Sequence, residues 1–197
     1  MARPRTVADD AILAAAAGAV AAAGPADVTL AQIGARVGLS AAALLHRFGS
    51  KRGLLLALAR HDAEALPARL AAASAADRPV AALVDALVAM AGGVRSATEL
   101  ANHVAFLVLD LSDPEFQQVS RAYTAAVESA IGLVLQAGRD AGELPAGDAD
   151  PDLPRAVHAA YNGALLTWGM AGAGGDPGEH VRRQLRHVLG PRPVRRS

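Results

Sequence analysis

Residues 29–51 read TLAQIGARVGLSAAALLHRFGSK, and this stretch decides the fold. Thr29 and Ser40 are of the residue types that cap helix N-termini, and each precedes a short run with apolar residues at helical spacing. Gly38 stands between the two runs, at the place where a left-handed residue ends a helix. The stretch therefore predicts two short helices, ending near Val37 and Phe48, that are joined by a tight turn.

The apolar positions of the two predicted helices supply a small core. Ile33 and Val37 face inward from the first helix, Leu39 fills the corner, and Leu44 closes the core from the second helix. A unit of this kind projects its second helix, so that the first turns can enter the major groove of DNA, which is about 12 Å wide. The pattern is that of a helix-turn-helix.

Start and stop signals outside this stretch predict further helices and no strands. A helix before it ends at Gly24-Pro25, and Ser50 caps a leucine-rich helix after it. Pro67 removes one backbone hydrogen bond, so a kink or break is expected near Leu66. Later signals predict helices over 79–92, 98–111, 113–142, 150–171 and 176–189. The helix over 98–111 is apolar on nearly all sides, which predicts that it is buried.

Composition agrees with an all-helical fold. Hydrophobic residues make up 52% of the 197, while aromatic residues make up only 3%, so Ala and Leu supply most of the apolar surface. Ala and Leu favour helices over strands. We expect an all-α protein with an N-terminal three-helix DNA-binding head over residues 1–50. A helical body follows over 51–190, and a disordered tail over 191–197.

Charge is strongly segregated along a chain whose net charge is zero. Residues 1–60 hold seven Lys and Arg against three Asp and Glu, whereas residues 61–181 hold six against sixteen. The last sixteen residues hold six Arg and no acid. A basic head on an acidic body is expected where only the head meets a polyanion such as DNA.

Several classes of site and location are disfavoured by the sequence. The absence of cysteine excludes disulfides, thiolate metal sites and cysteine catalysis. The apolar stretch 11–23 is too short to span a membrane, and acids precede it where a signal peptide would be basic. We expect a soluble, cytoplasmic protein with no membrane partner, no cofactor and no metal.

With the motif and its surroundings in place, the sequence resembles the DNA-binding head of the TetR family of bacterial regulators over about residues 6–60. The resemblance includes the helix before the motif, the small-residue turn, the ending HRFGSK at 46–51 and the leucines after it. It implies a dimeric repressor that reads a palindromic operator in double-stranded DNA and is released by a small, largely apolar ligand.

The resemblance also implies the DNA-binding residues. Thr29 and Lys51 would hold phosphates at helix N-termini, and Gln32 would reach phosphate or a base edge. Arg36 and Arg52 would add positive charge near the phosphates. The recognition helix begins with Ser40, Ala41 and Ala42 and continues with Leu45 and His46.

The recognition helix departs from the family pattern. Alanines follow the cap at 41–43, and Leu45 stands where the family commonly has a tyrosine. Few side chains remain for bidentate hydrogen bonds to bases, although alanine can pack on thymine methyl groups.

In the body, the resemblance implies a ligand cavity and a four-helix dimer interface. Polar and aromatic side chains on otherwise apolar helices are the candidate ligand contacts: Asn102, His103, Phe106, Asp110, His158, Tyr161, Asn162 and Trp168. The helices over 113–142 and 150–171 fit the dimer interface because they carry small residues that permit close approach: Ala125, Ala126, Ala130, Ala160, Gly163 and Ala164.

Two other functions are alternatives. The first is a TetR-like sensor of a ligand or partner that has lost specific DNA binding. The second is an α-helical enzyme, which the sequence disfavours because it offers no nucleophile–base pair and no spacing of metal ligands. Salt-dependent binding to duplex DNA separates the regulator from both.

Overall fold

The computed structural model describes residues 7–145 and 150–190, and the predicted tail over 191–197 lies outside these residues. Within the described ranges the chain forms α-helices and one short 3-10 helix, Ala72–Ala75, with no strand. The helices are α1 (Asp9–Asp27), α2 (Leu30–Val37), α3 (Ala41–Phe48), α4 (Lys51–Ala71), α5 (Pro79–Gly92), α6 (Ala97–Ser112), α7 (Pro114–Asp140), α8 (Leu153–Met170) and α9 (Pro177–Leu189). The predicted all-α fold is confirmed.

The chain divides into two compact units. Unit 1 comprises Met1–Ala63 and Thr98–Arg121, and unit 2 comprises Glu64–Ala97 and Ala122–Ser197. Unit 1 thus contains α1 to α3 together with the first half of α4, nearly all of α6 and the start of α7.

Unit 1 has a hydrophobic core to which each of its helical segments contributes. α1 supplies an apolar stripe from Ile12 to Val20, and α4 supplies Leu54, Leu55 and Leu58, all of them buried. Phe116 of α7 joins the same core and is 1% exposed. The end predicted for the first helix at Gly24-Pro25 is present as an interruption: Gly24 has the non-helical angles φ 79° and ψ 161°, and α1 continues through Pro25 to Asp27.

Unit 2 contains α5, α8 and α9 with the larger part of α7. Its buried side chains include Leu83 and Leu87 of α5, Ile131 of α7, Trp168 of α8 and Leu185 of α9. α9 begins close to the predicted position, with Asp176 as its cap: the Asp176 carboxylate accepts a hydrogen bond from the Gly178 backbone N–H, and Pro177 is the first helical residue.

Two expectations about individual helices are wrong. α4 continues through Pro67 to Ala71, so of the kink or break expected near Leu66 the break is not found. Helix α6 is not a buried helix, because Leu107, Val108 and Leu111 are 51%, 57% and 76% exposed. An apolar residue on every side of a helix does not ensure that neighbours cover every side, and α6 packs through Leu100, Phe106 and Leu109 instead.

In the described ranges no single helix is long and apolar enough to cross a membrane. Only α5 and α6 taken together across the break between them reach that length and composition.

Candidate DNA-binding site

Two N-terminal caps define the helix-turn-helix, as the sequence predicts. Thr29 and Gln32 form a capping box: the Thr29 hydroxyl oxygen accepts from the Gln32 N–H at 3.2 Å, and the Thr29 N–H donates to Gln32 Oε1 at 2.8 Å. Ser40 Oγ accepts from the Ala43 N–H at 3.1 Å and caps α3. These bonds satisfy backbone donors that have no partner inside the helix.

The turn between α2 and α3 depends on two glycines, of which the sequence indicated only one. Gly38 has φ 71°, the left-handed conformation predicted for it. Gly34 is buried, its carbonyl accepts from the Leu39 N–H at 2.9 Å, and a Cβ there would collide with the Leu39 carbonyl oxygen. The close approach of two backbone segments therefore requires glycine at 34, for a reason that only the tertiary structure reveals.

Packing beneath the motif leaves the recognition helix α3 with one buried face. Ile33 of α2 and Leu44 of α3 are both 0% exposed, and Val37, Leu39 and Phe48 pack partly buried against the same core. On its other side α3 exposes Ala42, Ala43, Leu45 and His46.

The predicted DNA-binding residues lie on α2, on α3 and at the start of α4. Seven of them are exposed or half-buried with no intramolecular ion pair in the described ranges: Thr29, Gln32, Arg36, Ser40, Ala41, Ala42 and His46. The same holds for Leu45, which is 50% exposed. Lys51 differs, because its Nζ donates to the Ala26 carbonyl at 2.6 Å.

Two arginines near the motif are held by other parts of unit 1. Arg47 on α3 forms an ion pair with Asp9, and its Nη1 donates to the Val7 carbonyl at 2.7 Å. Its guanidinium is therefore occupied on the head itself. The Val7 carbonyl lies forty residues before Arg47 in the sequence, so sequence spacing alone gave no sign of this contact.

Arg52 joins α4 to the start of α7. Its guanidinium donates to both carboxylate oxygens of Asp113, at 2.8 and 2.6 Å, and to Glu115 at 2.7 Å. It also lies over the Phe116 ring, with Cζ 5.6 Å from the ring centroid. The hydrogen bonds from Arg52 hold the pKa of the Asp113 carboxyl below its usual value, and the backbone N–H groups of Glu115 and Phe116 add to the effect. The predicted contribution of Arg52 to phosphate binding would require these bonds to break.

Asn102, a predicted ligand residue, contacts α1 in the structure. Its Nδ2 donates to the Ala21 carbonyl at 2.8 Å, close to the interruption of α1, and a Cβ at Gly24 would lie 2.9 Å from its Oδ1. Phe106 meets Phe116 edge-on, with ring centroids 5.9 Å apart. His103 is exposed, and the side chain of Asp110 lies outside the described part of the structure.

The other four predicted ligand residues belong to α8 in unit 2. His158 and Tyr161 are half-buried: burial lowers the pKa of the His158 imidazole and raises the pKa of Tyr161 to about 12. The His158 ring stands edge-on to Tyr123, with centroids 6.4 Å apart. Asn162 is exposed, whereas Trp168 is 3% exposed and donates to the Gly175 carbonyl at 3.3 Å, as a core side chain does.

Unit 2 also contains an open cleft of about 540 Å³ between the start of α5 and the end of α9. Its lining combines apolar side chains with two ion pairs, Arg78 with Glu143 and Arg182 with Asp85. None of the predicted ligand residues lines it. Its charged lining does not fit a small, largely apolar ligand.

Comparison with known proteins places the motif in a family. Residues 12–58 match the family model described as bacterial regulatory proteins, tetR family. Among curated protein sequences, none matches the chain.

Solved structures of similar fold cover almost the whole chain. SmeT, the repressor of the Stenotrophomonas maltophilia multidrug efflux pump SmeDEF, has a TM-score of 0.64 at 24% identity and covers 93% of this chain and 89% of its own. A transcriptional regulator from a Rhodococcus species has a TM-score of 0.70 at 20% identity and covers 93% and 95%. The TetR family transcriptional regulator PfmR from Thermus thermophilus has a TM-score of 0.64 at 24% identity and covers 90% and 96%. These likenesses establish the fold.

Proposed function

We propose that this chain, whose residues 12–58 match the family model of bacterial regulatory proteins of the tetR family, is a DNA-binding transcriptional regulator. In this proposal it is a homodimeric repressor, which a small and largely apolar ligand releases from a palindromic operator. The observation that carries the proposal is the capped helix-turn-helix, whose recognition helix α3 is packed on one face and exposed on the other. In this proposal the protein binds and releases DNA and catalyses no reaction. Its DNA partner would place it in the cytoplasm.

In the proposed complex α3 enters the major groove, and residues around it hold the phosphates. Arg36 is exposed and has no ion pair in the described ranges, so its charge is available to the DNA backbone. Thr29 and Lys51 lie at the N-terminal ends of α2 and α4, where backbone N–H groups add to the attraction for phosphate. Lys51 would exchange the Ala26 carbonyl for a phosphate, and a charged acceptor binds ammonium more strongly than a neutral one.

The proposed dimer interface uses one face of α7 and one face of α8. Four exposed residues of each helix recur at i, i+3, i+7 and i+11, which places these four on one side. They are Ala122, Ala125, Ser129 and Leu133 on α7, and Ala159, Asn162, Leu166 and Met170 on α8. Such a mixture of small and apolar exposed residues fits close packing against a second copy. Ala130 and Ala164, two of the six small residues in the prediction, are buried within the chain instead.

The proposed ligand contacts in unit 2 are His158 and Tyr161, which have the most suitable surroundings of the residues named from the sequence. Both are half-buried, and burial lowers the pKa of the imidazole and raises that of the phenol, so it favours the neutral form of each. A neutral polar group in an apolar wall is what an apolar ligand with one polar handle requires. SmeT has been solved as a complex with triclosan, a structure with a TM-score of 0.68 to this chain at 20% identity. That likeness supports the ligand class by analogy.

The experiment is selection of binding sites by the full-length chain from a library of random duplexes. We expect enrichment of an inverted repeat whose half-sites are about 10 base pairs apart, because two recognition helices of a dimer read successive major grooves. Binding should weaken steeply with salt, with a log–log slope of about −0.9 for each phosphate contacted. Triclosan, added to the selected complex, is the first probe of release. Failure to enrich any duplex would favour the alternative, a sensor of the same fold that has lost specific DNA binding.

A further inference from the structure

The exposed surface of the recognition helix is unusually apolar. Leu45 is 50% exposed and is the one large apolar side chain exposed among the described residues of α1 to α3. Ala42 precedes it by three positions and is also exposed, so the two side chains are neighbours on the same side of α3. In the free protein half of the Leu45 side chain stays in water, so the favourable free energy of burying that half is not gained. The complex with DNA is therefore where Leu45 can be covered.

Polar side chains that could read bases by hydrogen bonds are scarce on this surface. Arg47, the one arginine of α3, is occupied by Asp9 and the Val7 carbonyl. Gln32 uses its carbonyl oxygen in the capping box, and Ser40 Oγ accepts from the Ala43 N–H. Bidentate reading of guanine needs Arg or Lys, and that of adenine needs Asn or Gln. On α3 itself only His46 remains as an uncommitted polar side chain beyond the cap.

The major groove offers one apolar feature, the methyl group of thymine. We propose that Leu45, together with Ala42, determines the sequence specificity of this protein by covering thymine methyl groups in each operator half-site. Side chains three apart on a helix have Cβ atoms roughly 5–6 Å apart. That separation spans one to two base-pair steps of about 3.4 Å. The pair can therefore cover the methyl groups of neighbouring thymines. This inference rests on the proposed function, since it requires a duplex that the protein selects.

The test replaces thymine by deoxyuridine, which removes the methyl group and keeps every hydrogen-bonding group of the base. The full-length chain is titrated with the duplex selected from the random library, and then with versions carrying dU at each thymine position in turn. We expect dU at one or two positions of a half-site to weaken binding about fourfold for each methyl group, the value for one buried CH₂-sized group. Replacing one such thymine in each half-site should weaken binding about 15-fold, because the two effects multiply.

A variant pair assigns the effect to Leu45. In Leu45→Ala the ratio of affinities for the dT and dU duplexes should fall toward one, while the affinity for the dU duplex changes little. Leu107→Ala is the matched control, because Leu107 is 51% exposed and lies on α6 outside the motif, and it should keep the full ratio. A loss of folding would lower both affinities together, so it would not imitate a change in their ratio.

Each remaining outcome overturns the inference at a different level. Equal binding of dT and dU duplexes by the unmodified chain would refute methyl reading and leave the repressor proposal standing. A dT preference that persists in Leu45→Ala would remove the assignment to Leu45. If the library yields no enriched duplex, the proposed function itself fails and the inference fails with it.

Discussion

Replacing Gly34 by alanine tests the geometry on which the recognition helix depends. Alanine favours a helix interior over glycine by about 1 kcal/mol, so local propensity alone predicts a more stable protein. The new Cβ, however, would collide with the Leu39 carbonyl oxygen, which belongs to the backbone and cannot rotate away. Overpacking of this kind costs about 1–3 kcal/mol, and the upper end applies where the obstacle is backbone.

Relief of the collision would also open the turn. The Leu39 N–H then loses its 2.9 Å bond to the Gly34 carbonyl, and such a bond is worth about 1 kcal/mol. After the propensity gain is subtracted, the free energy of unfolding should fall by roughly 2–3 kcal/mol. Gly18→Ala is the matched control, since Gly18 is exposed on α1 and its new Cβ would meet only the mobile end of Arg36, at 3.0 Å. That variant should gain roughly 0.5–1 kcal/mol.

The measurement is urea denaturation of the full chain followed by far-ultraviolet circular dichroism. The midpoint for Gly34→Ala should fall by about 1 M relative to the unmodified chain, since small proteins lose about 1–3 kcal/mol per molar urea. DNA binding should weaken in parallel, because α3 would no longer be held at its present angle to α2. If Gly34→Ala unfolded at the same urea concentration as Gly18→Ala, the reasoning from close backbone approach would be refuted.

Three further predictions follow from single contacts. Lys51→Ala should weaken binding to all duplexes alike and reduce the log–log salt slope by about 0.9 per protomer, because among the described residues its one bond is to the Ala26 carbonyl, which a phosphate can replace. An altered sequence preference in selection would contradict a phosphate role. Gly163→Glu should give monomers in analytical ultracentrifugation without loss of helicity, since a Cβ there meets no atom within 4 Å; an intact dimer would place the interface elsewhere. Arg52 lowers the pKa of Asp113 in the folded chain, so this carboxylate stabilises the fold above the ordinary aspartate pKa, and the contribution is lost as the pH falls through the lowered value. The stability difference between the unmodified chain and Asp113→Asn should therefore shrink below about pH 4, and urea midpoints that differ by a constant amount from pH 7 to pH 3 would contradict it.

The helices and the motif could be predicted because their signals are local. Thr29, Ser40 and Ser50 each accept a hydrogen bond from a backbone N–H three residues later, so the cap and its partner appear together in the sequence. Gly38 could be predicted for the same reason, because the positive φ of its own backbone favours glycine. Ile33 and Leu44 are buried as their helical spacing predicts, because a short amphipathic helix has only one apolar face to bury.

The interactions that link α1 and α4 to α6 and α7 within unit 1 were decided by tertiary structure alone. Arg52 is separated from Asp113 by 61 residues, and Asn102 from Ala21 by 81, and no periodicity relates positions so far apart. The sequence suggested that Arg52 contacts DNA and that Asn102 contacts a ligand. The charge or polarity of a side chain shows that it needs a polar partner, but it does not show which group that partner is. The same reasoning applies to position 34, which requires glycine because the Leu39 carbonyl packs against it. The exposure of α6 likewise depends on which of its sides a neighbouring helix covers. Residue type and spacing thus determined the helices, the turn and the face of α3 that is buried, while long-range packing determined which charged and polar groups remain free to meet DNA.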